Sequence, residues 1–509
     1  MTPAVISAAA IVLLLLLCHC QEAAAAAAGG GRLPPMPARH AAAAASGGGS
    51  SVPSMVRYET RHYTQRLDHF NAAPASYGSF QQRYLVNDTF WGGRTAPIFL
   101  YAGNEGDVEL FTNNTGFMWE AAPRFRAMLV FVEHRYYGKS MPFGSKEAAF
   151  KDASTTGYLT TTQAIADYAT LVLSLKANLS AAAAPVLVFG GSYGGMLAAW
   201  MRLKYPHVVM GAVASSAPIL GFYGLVDPYA FYDVVANDFK SESQNCYEVL
   251  RKSWDEVDKA LATDAGRAQL KRTFNMCKGN VDAISNLIEN AVIYGAMMDY
   301  PTPSGFLTPL PAYPVRAMCA AVDHPSAGGD TLSRVRDLLG VYYNHTGEAA
   351  CLGAAEDDDP YGMFDGWDWQ ACTEMVLMTA GVSNASVLPP SPFNFTDLID
   401  GCRSSTGLPP RPYWIETEFG GFDIAHVLKR SASNILFFNG LRDPWSTGGV
   451  LKSISDSIIA LIEPKGGHHV DLRFSTKDDP DWLKQVRNKE TRIIARWLKQ
   501  YYSDEGISA

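Results

Sequence analysis

A serine set among glycines at the end of a β-forming run is the first feature with chemical meaning. Val186-Leu187-Val188-Phe189 leads into Gly190-Gly191-Ser192-Tyr193-Gly194-Gly195, a G-x-S-x-G spacing followed at once by helix-forming residues. Between a strand and a helix this spacing makes a strained turn that lifts the serine hydroxyl to the top of a sheet. Its glycines admit close backbone packing and φ/ψ values that other residues resist. The Tyr193 amide then lies at a helix start, where it can bind a developing oxyanion. The plain alternative is a structural glycine-rich turn. A serine hydroxyl attacks a carbonyl only if a histidine takes its proton and a carboxylate fixes that histidine's tautomer. On a strand–serine–helix scaffold the order along the chain is serine, acid, histidine. Asn439-Gly440-Leu441-Arg442-Asp443-Pro444-Trp445 follows one β run and offers Asp443; Gly466-Gly467-His468-His469-Val470-Asp471 follows the next. Asp443 could instead cap a turn. Two neighbouring loop residues cannot both face the serine, so the base stays open between His468 and His469. Of the 11 histidines, His69, His134 and His207 precede the acid and are expected to be structural. Asn104-Glu105-Gly106 is where a second oxyanion donor would come from, or a tight turn.

These loops need a scaffold, and the hydrophobic pattern supplies one. Short β-forming runs at 80–86, 96–102, 128–133, 186–190 and 208–215 alternate with helical patterns at 161–177 and 193–205. The pattern returns at 434–438 and 458–462 and closes with a helix at 481–501. Continuous apolar strands separated by helices indicate a parallel sheet covered on both faces, an α/β fold. Between the two parts, residues 222–408 are helical in texture, cysteine-bearing and broken by proline. They are expected to form an insertion over the carboxyl ends of the strands, with core segments at 56–221 and 409–505.

The chain has 509 residues, 48% of them hydrophobic and 18% charged, enough for a sizeable core. Such a composition excludes a disordered chain, a coiled coil and a collagen-like fibre. Fifty acids against 42 bases, with no extended basic run, exclude a nucleic-acid partner. Residues 5–18 form an apolar run shorter than the roughly 20 residues a bilayer requires. The run reads as the centre of a secretory signal at 1–24, although no Lys or Arg precedes it. Residues 25–55 are Ala, Gly, Ser and Pro, a composition that buries almost nothing and is expected to be disordered or removed. No later segment is expected to anchor the chain in a membrane. Beyond the signal, six cysteines remain, all between 246 and 402: Cys246, Cys277, Cys319, Cys351, Cys372 and Cys402. With no CxxC pair and no histidines at metal spacing, disulfides are expected rather than zinc. Six cysteines allow fifteen pairings. N-x-S/T sequons at Asn87, Asn113, Asn178, Asn344, Asn384 and Asn394 are candidate glycosylation sites. No metal or cofactor is called for.

Further stretches accompany the three loops: Gln65-Arg66-Leu67-Asp68-His69-Phe70, Gly103-Asn104-Glu105-Gly106-Asp107 and Glu133-His134-Arg135-Tyr136-Tyr137-Gly138. Asp299-Tyr300-Pro301, Gln370-Ala371-Cys372-Thr373-Glu374 and His468-His469-Val470-Asp471-Leu472 follow. In this order, from about Tyr63 to Trp497, the chain resembles the proline-selective serine peptidases, a family with a Pro-X carboxypeptidase branch and a dipeptidyl peptidase branch. The resemblance implies an α/β-hydrolase core with an inserted helical, disulfide-bonded cap, and a triad of Ser192, Asp443 and His468. It implies the pairs Cys246–Cys319, Cys277–Cys351 and Cys372–Cys402; a further family disulfide has no counterpart here. It carries the carboxypeptidase branch's proline pocket onto Met196, Trp367 and Trp445, with Leu377 where the family has methionine. An aromatic and thioether pocket suits a proline ring, which has no donor to satisfy. The implied activity is that of a serine exopeptidase releasing the residue after proline from short peptides with a penultimate proline. The alternatives are a dipeptidyl peptidase removing X-Pro pairs, and a catalytically silent hydrolase-fold protein that binds peptides. A cap carboxylate would favour a substrate amine, but the acidic stretch 355–359 reads as a solvated loop. A lysosome, a vacuole or the cell exterior fits as the residence, and a homodimer is compatible with the reading.

Overall fold

The computed structural model describes residues 55–277, 281–326, 329–352 and 364–507. The signal, almost all of the low-complexity segment and the acidic stretch 355–359 lie outside them. One eight-stranded sheet organises the rest, in the order β1-β2-β4-β3-β5-β6-β7-β8. The strands are β1 (Glu59–Arg66), β2 (Ser79–Asn87), β3 (Ile98–Ala102), β4 (Met128–Val132), β5 (Val186–Gly191), β6 (Gly211–Ser215), β7 (Ile435–Gly440) and β8 (Ile458–Glu463). β1, β2 and β4 pair antiparallel; from β4 through β3 to β8 every pairing is parallel.

The parallel strands are apolar on both sides because both sides are covered. Phe99, Phe131, Phe189, Val213 and Phe438 face a core shared with Phe117 and Trp119 of the helix Gly116–Phe125 and with Ile494 and Trp497 of Asp481–Asp504. Leu100, Val130, Val188, Ala212 and Phe437, one register position away, face the helices Thr161–Asn178, Tyr193–Lys204 and Ile424–Ser431. Thr160 caps the first of these by accepting from the Gln163 amide. The 208–215 run is strand only from Gly211, since the Val208 and Val209 amides close the turn after the preceding helix on Tyr205. β1 has no counterpart in the hydrophobic pattern: Glu-Thr-Arg-His-Tyr-Thr-Gln-Arg is an edge strand with mostly exposed or half-buried side chains.

Between β6 and β7 the chain is helical. Cys246–Cys319 ties the helix Gln244–Leu261 to Pro314–Asp323, and Cys372–Cys402 ties Phe364–Thr373 to Phe395–Thr406. Cys277–Cys351 joins two loops. Phe231, Val235 and Phe239 of the helix Ala230–Glu242 continue the apolar core of the first sheet face. Among the described residues no helix is long and apolar enough to cross a membrane.

At the end of β5 the backbones meet without room for side chains. A Cβ on Gly190 would lie 2.0 Å from the Gly194 carbonyl oxygen, and one on Gly195 2.8 Å from the Ser215 carbonyl. Gly190→Ala is expected to cost at least about 2 kcal/mol through overpacking, read as a lowered Tm, whereas Ala at exposed Gly401 would meet nothing within 4 Å.

Candidate active site

Ser192 sits between β5 and the helix Tyr193–Lys204 with φ 59° and ψ −131°. A non-glycine residue there is strained. Two backbone bonds hold it: the Ser192 amide donates to Ser215 O at 2.9 Å, and its carbonyl accepts from the Met196 amide at 3.1 Å. The Tyr193 amide is the first of the helix, where N–H groups lack an intrahelical acceptor.

Asp443 follows β7 and does two things at once. Its Oδ1 accepts from the Trp445 amide at 3.1 Å, starting the turn Pro444–Gly448, and its Oδ2 accepts from His468 Nδ1 at 2.8 Å. The capping role and the histidine-orienting role therefore coexist in one carboxylate. Both side chains are buried, so water does not compete for the bond. With Nδ1 committed to Asp443, Nε2 is the ring nitrogen left to accept a proton. The His468 amide donates to Met297 O at 2.9 Å, at the end of the helix Ile284–Met297. The helical segment thus fixes the loop that carries the histidine. Among the described contacts the Ser192 hydroxyl and His468 are not hydrogen-bonded to each other.

His469, left open against His468 by the residue pattern, makes no bond to Asp443. Its amide donates to Ser216 Oγ at 2.8 Å, and its ring lies against Phe306 and over Gly191, where a Cβ would meet it at 3.0 Å. Burial, then the nearby His468 and Arg473, push its pKa well below the ordinary value, so it is a neutral wedge between β5 and the insertion. His134 and His69 are held structurally, by Arg135 O and the Tyr193 hydroxyl and by Asp167; His207 is exposed.

Asn104 lies beside the elbow, its Oδ1 3.0 Å from where a Gly194 Cβ would be. The Gly106 amide closes a tight turn on Asn104 O at 2.8 Å. Glu105 is buried, and desolvation raises its pKa.

A polar network that the motif order did not reveal runs under the serine. The Tyr193 hydroxyl meets His134 Nε2 at 3.1 Å, Thr161 Oγ1 at 3.0 Å and Gln370 Nε2 at 2.9 Å. Gln370 Oε1 accepts from Tyr137 at 2.7 Å, and Glu374 Oε1 accepts from the Thr161 amide at 2.7 Å. These bonds dock the helix Phe364–Thr373 onto the core and explain why the stretches at 133–138 and 370–374 carry polar residues in buried positions. The only advance signal was that pattern of polar residues inside apolar surroundings.

The four pocket candidates share one apolar cluster: Met196 and Leu377 are buried, and half-buried Trp367 and Trp445 pack against the same group. Trp367 lies 5.5 Å from the Tyr193 ring, and Trp445 lies 4.9 Å edge-on to Phe231. Of the sequons, Asn178, Asn384 and Asn394 are exposed. Asn113 and Asn344 are half-buried, while Asn87 is buried with its amide donating to Arg57 O. No three His, Cys, Asp or Glu side chains converge as a metal site among the described residues.

Arg442, next to Asp443, contacts Asp299 at 2.7 Å, Glu242 at 3.2 Å and Asp238 at 3.8 Å, tying the acid's loop to the helical segment. The Asp299 contact is ionic rather than an aligned hydrogen bond, since neither atom has a bonded partner. Burial pushes Asp238 up to about 8, against the pull of Arg442.

A strained serine at the turn between a parallel strand and a helix of this sheet defines an α/β hydrolase. The family is narrower still: the chain matches Serine carboxypeptidase S28 over residues 65–490 and belongs to that family. Lysosomal Pro-X carboxypeptidases of Pongo abelii and Homo sapiens are each 40% identical over 466 residues, covering 90% of this chain and 92% of theirs. The Bos taurus protein of that name is 40% identical over 454 residues, covering 88% and 89%.

Asp443→Asn keeps the shape but reverses the imidazole tautomer, so kcat/KM is expected to fall by roughly 10⁴ with little change in Tm. Asp238 holds its proton in the fold to higher pH than in the unfolded chain. Its contribution is complete below the ordinary carboxylate range and is lost as pH rises towards about 8. Asp238→Asn, neutral at every pH, is expected to lessen the fall of Tm between pH 5 and pH 8; an unchanged fall would contradict this.

Proposed function

We propose that Ser192, His468 and Asp443 form the catalytic triad and that the protein releases the residue following proline from the carboxyl end of short peptides. The buried Asp443–His468 bond, emerging with the strained serine from the carboxyl edge of neighbouring parallel strands, supports this reading. Ser192 Oγ attacks the proline carbonyl and passes its proton to His468 Nε2. Asp443 stabilises the imidazolium, and the Tyr193 amide receives the oxyanion. The C–N bond breaks as His468 protonates the departing amine. Water, deprotonated by the same nitrogen, then frees the acyl product.

The preference for proline rests on two supports: the relatives' name, and the aromatic and apolar side chains of Trp367, Trp445, Met196 and Leu377 in one cluster with Tyr193. The division into core segments 56–221 and 409–505 around an insertion at 222–408 gives that insertion the role of limiting access to short peptides. Support comes from the His468–Met297 and Tyr193–Gln370 bonds, which bring the helical segment to the edge of the site. Three disulfides favour an oxidising compartment. With the lysosomal relatives, they support residence in the secretory pathway, in a lysosome or vacuole or outside the cell.

A fluorophosphonate is expected to label the protein and to lose its target in Ser192→Ala. Amino-blocked peptides ending in Pro-X are expected to be cleaved, and Trp367→Ala to raise KM for proline over alanine at that position by about tenfold. Turnover only of free-amine X-Pro reporters would replace the carboxypeptidase reading by a dipeptidyl peptidase one. Rapid cleavage inside a folded protein would overturn the access role of the insertion.

A further inference from the structure

Two acids buried beneath the site have no part in the chemistry above. Asp471 lies on the same loop as His468, and Glu490 lies on the closing helix Asp481–Asp504; both are fully buried. Asp471 Oδ1 accepts from the Ser215 hydroxyl, and the Ser215 carbonyl holds the Ser192 amide at 2.9 Å. A single residue therefore joins the loop of the base to the strand that seats the nucleophile. The remaining oxygens, Asp471 Oδ2 and both of Glu490, have no hydrogen-bond partner among the described residues, and each carboxyl is near enough to act on the other's charge. Two buried anions in that position would repel strongly. One proton between them removes the repulsion and supplies the missing donor.

We propose that Asp471 and Glu490 share one proton and together act as a positioning pair that keeps Ser192 and His468 in register only while that proton is held. Glu490 carries the proton, its pKa raised by burial and then by the neighbouring Asp471 charge. Asp471 accepts from both Glu490 and Ser215. The surrounding charges do not replace the proton. Arg487, on the same helix as Glu490, spends its guanidinium on Asp479 and on the carbonyls of Val470, Asp471, Arg473 and Phe474. Arg473 is turned to Asn114 and Ser304 and lies over the Tyr300 ring. β6 presents the Ser215 hydroxyl, and the adjoining Ser216 hydroxyl is taken by His469. Because the folded chain holds this proton to higher pH than the unfolded chain, the pair's contribution is complete in acid and is lost as pH rises. An exopeptidase built this way is confined to acidic surroundings by its scaffold.

The proposal takes Ser192 and His468 as nucleophile and base, but the Tm part of its test depends on neither. The test compares Tm and kcat/KM at pH 5 and pH 8 for the full chain, Glu490→Gln and Glu490→Ala, each also in an Asp238→Asn background to remove that carboxyl's own alkaline loss. Gln supplies the donor at every pH. Its fall in Tm and kcat/KM from pH 5 to pH 8 is expected to be less than about half that of the unsubstituted chain, with kcat at pH 5 within about threefold. Glu490→Ala is expected to lower kcat at pH 5 by at least about tenfold with KM changed less than about threefold. An alkaline fall in Glu490→Gln equal to that of the unsubstituted chain overturns the proposal, as does a folded Glu490→Ala with unaltered kcat. If Glu490→Ala does not fold, Glu490→Gln decides alone. Loss of fluorophosphonate labelling at Ser192 with the predicted Tm pattern intact would fail the triad and spare the pair.

Discussion

The buried bond between Asp443 and His468 is the constraint on which the arrangement depends. A carboxylate removed from water is stable only when its lone pairs are taken up. Here one oxygen is used by the Trp445 amide and the other by the imidazole. The bond fixes the imidazole's orientation, leaves Nε2 free to take a proton, and makes the loops after β7 and β8 a single unit. Sheet order then matters: β5, β6, β7 and β8 are parallel neighbours, so serine, acid and histidine emerge from the same edge although some 250 residues separate the first from the second.

The helical segment between β6 and β7 is more than a cover. It closes the His468 loop through Met297, meets Tyr193 through Gln370, and surrounds Arg442 with three carboxylates. Removing one partner from such a buried polar group leaves the others uncompensated and is costly. Disulfides stiffen this segment rather than the sheet, which matches where the support is needed. Core strands need none, being buried on both faces by continuous apolar runs.

Much of this was legible in the residues. The runs that form β3 to β7 are apolar because that part of the sheet is doubly covered, and the glycines around Ser192 are there because a Cβ would strike backbone. β1 leaves no mark in the hydrophobic pattern because an edge strand with polar, half-exposed side chains lacks the period that marks a core strand. Spacing alone left His468 and His469 equivalent; what separates them is three-dimensional, one imidazole reaching Asp443 and the other wedged over Gly191. The buried network of Tyr193, His134, Thr161, Gln370 and Glu374 spans more than 200 positions, so no local period could announce it.

The structure of the fluorophosphonate adduct tests the account most directly, because it catches the site with its oxyanion present. The account predicts phosphorus bonded to Ser192 Oγ, His468 Nε2 within about 3.2 Å of that oxygen or the leaving position, and a phosphoryl oxygen on the Tyr193 amide. An adduct on another residue, or one in which His469 rather than His468 turns towards the phosphonate, would contradict it.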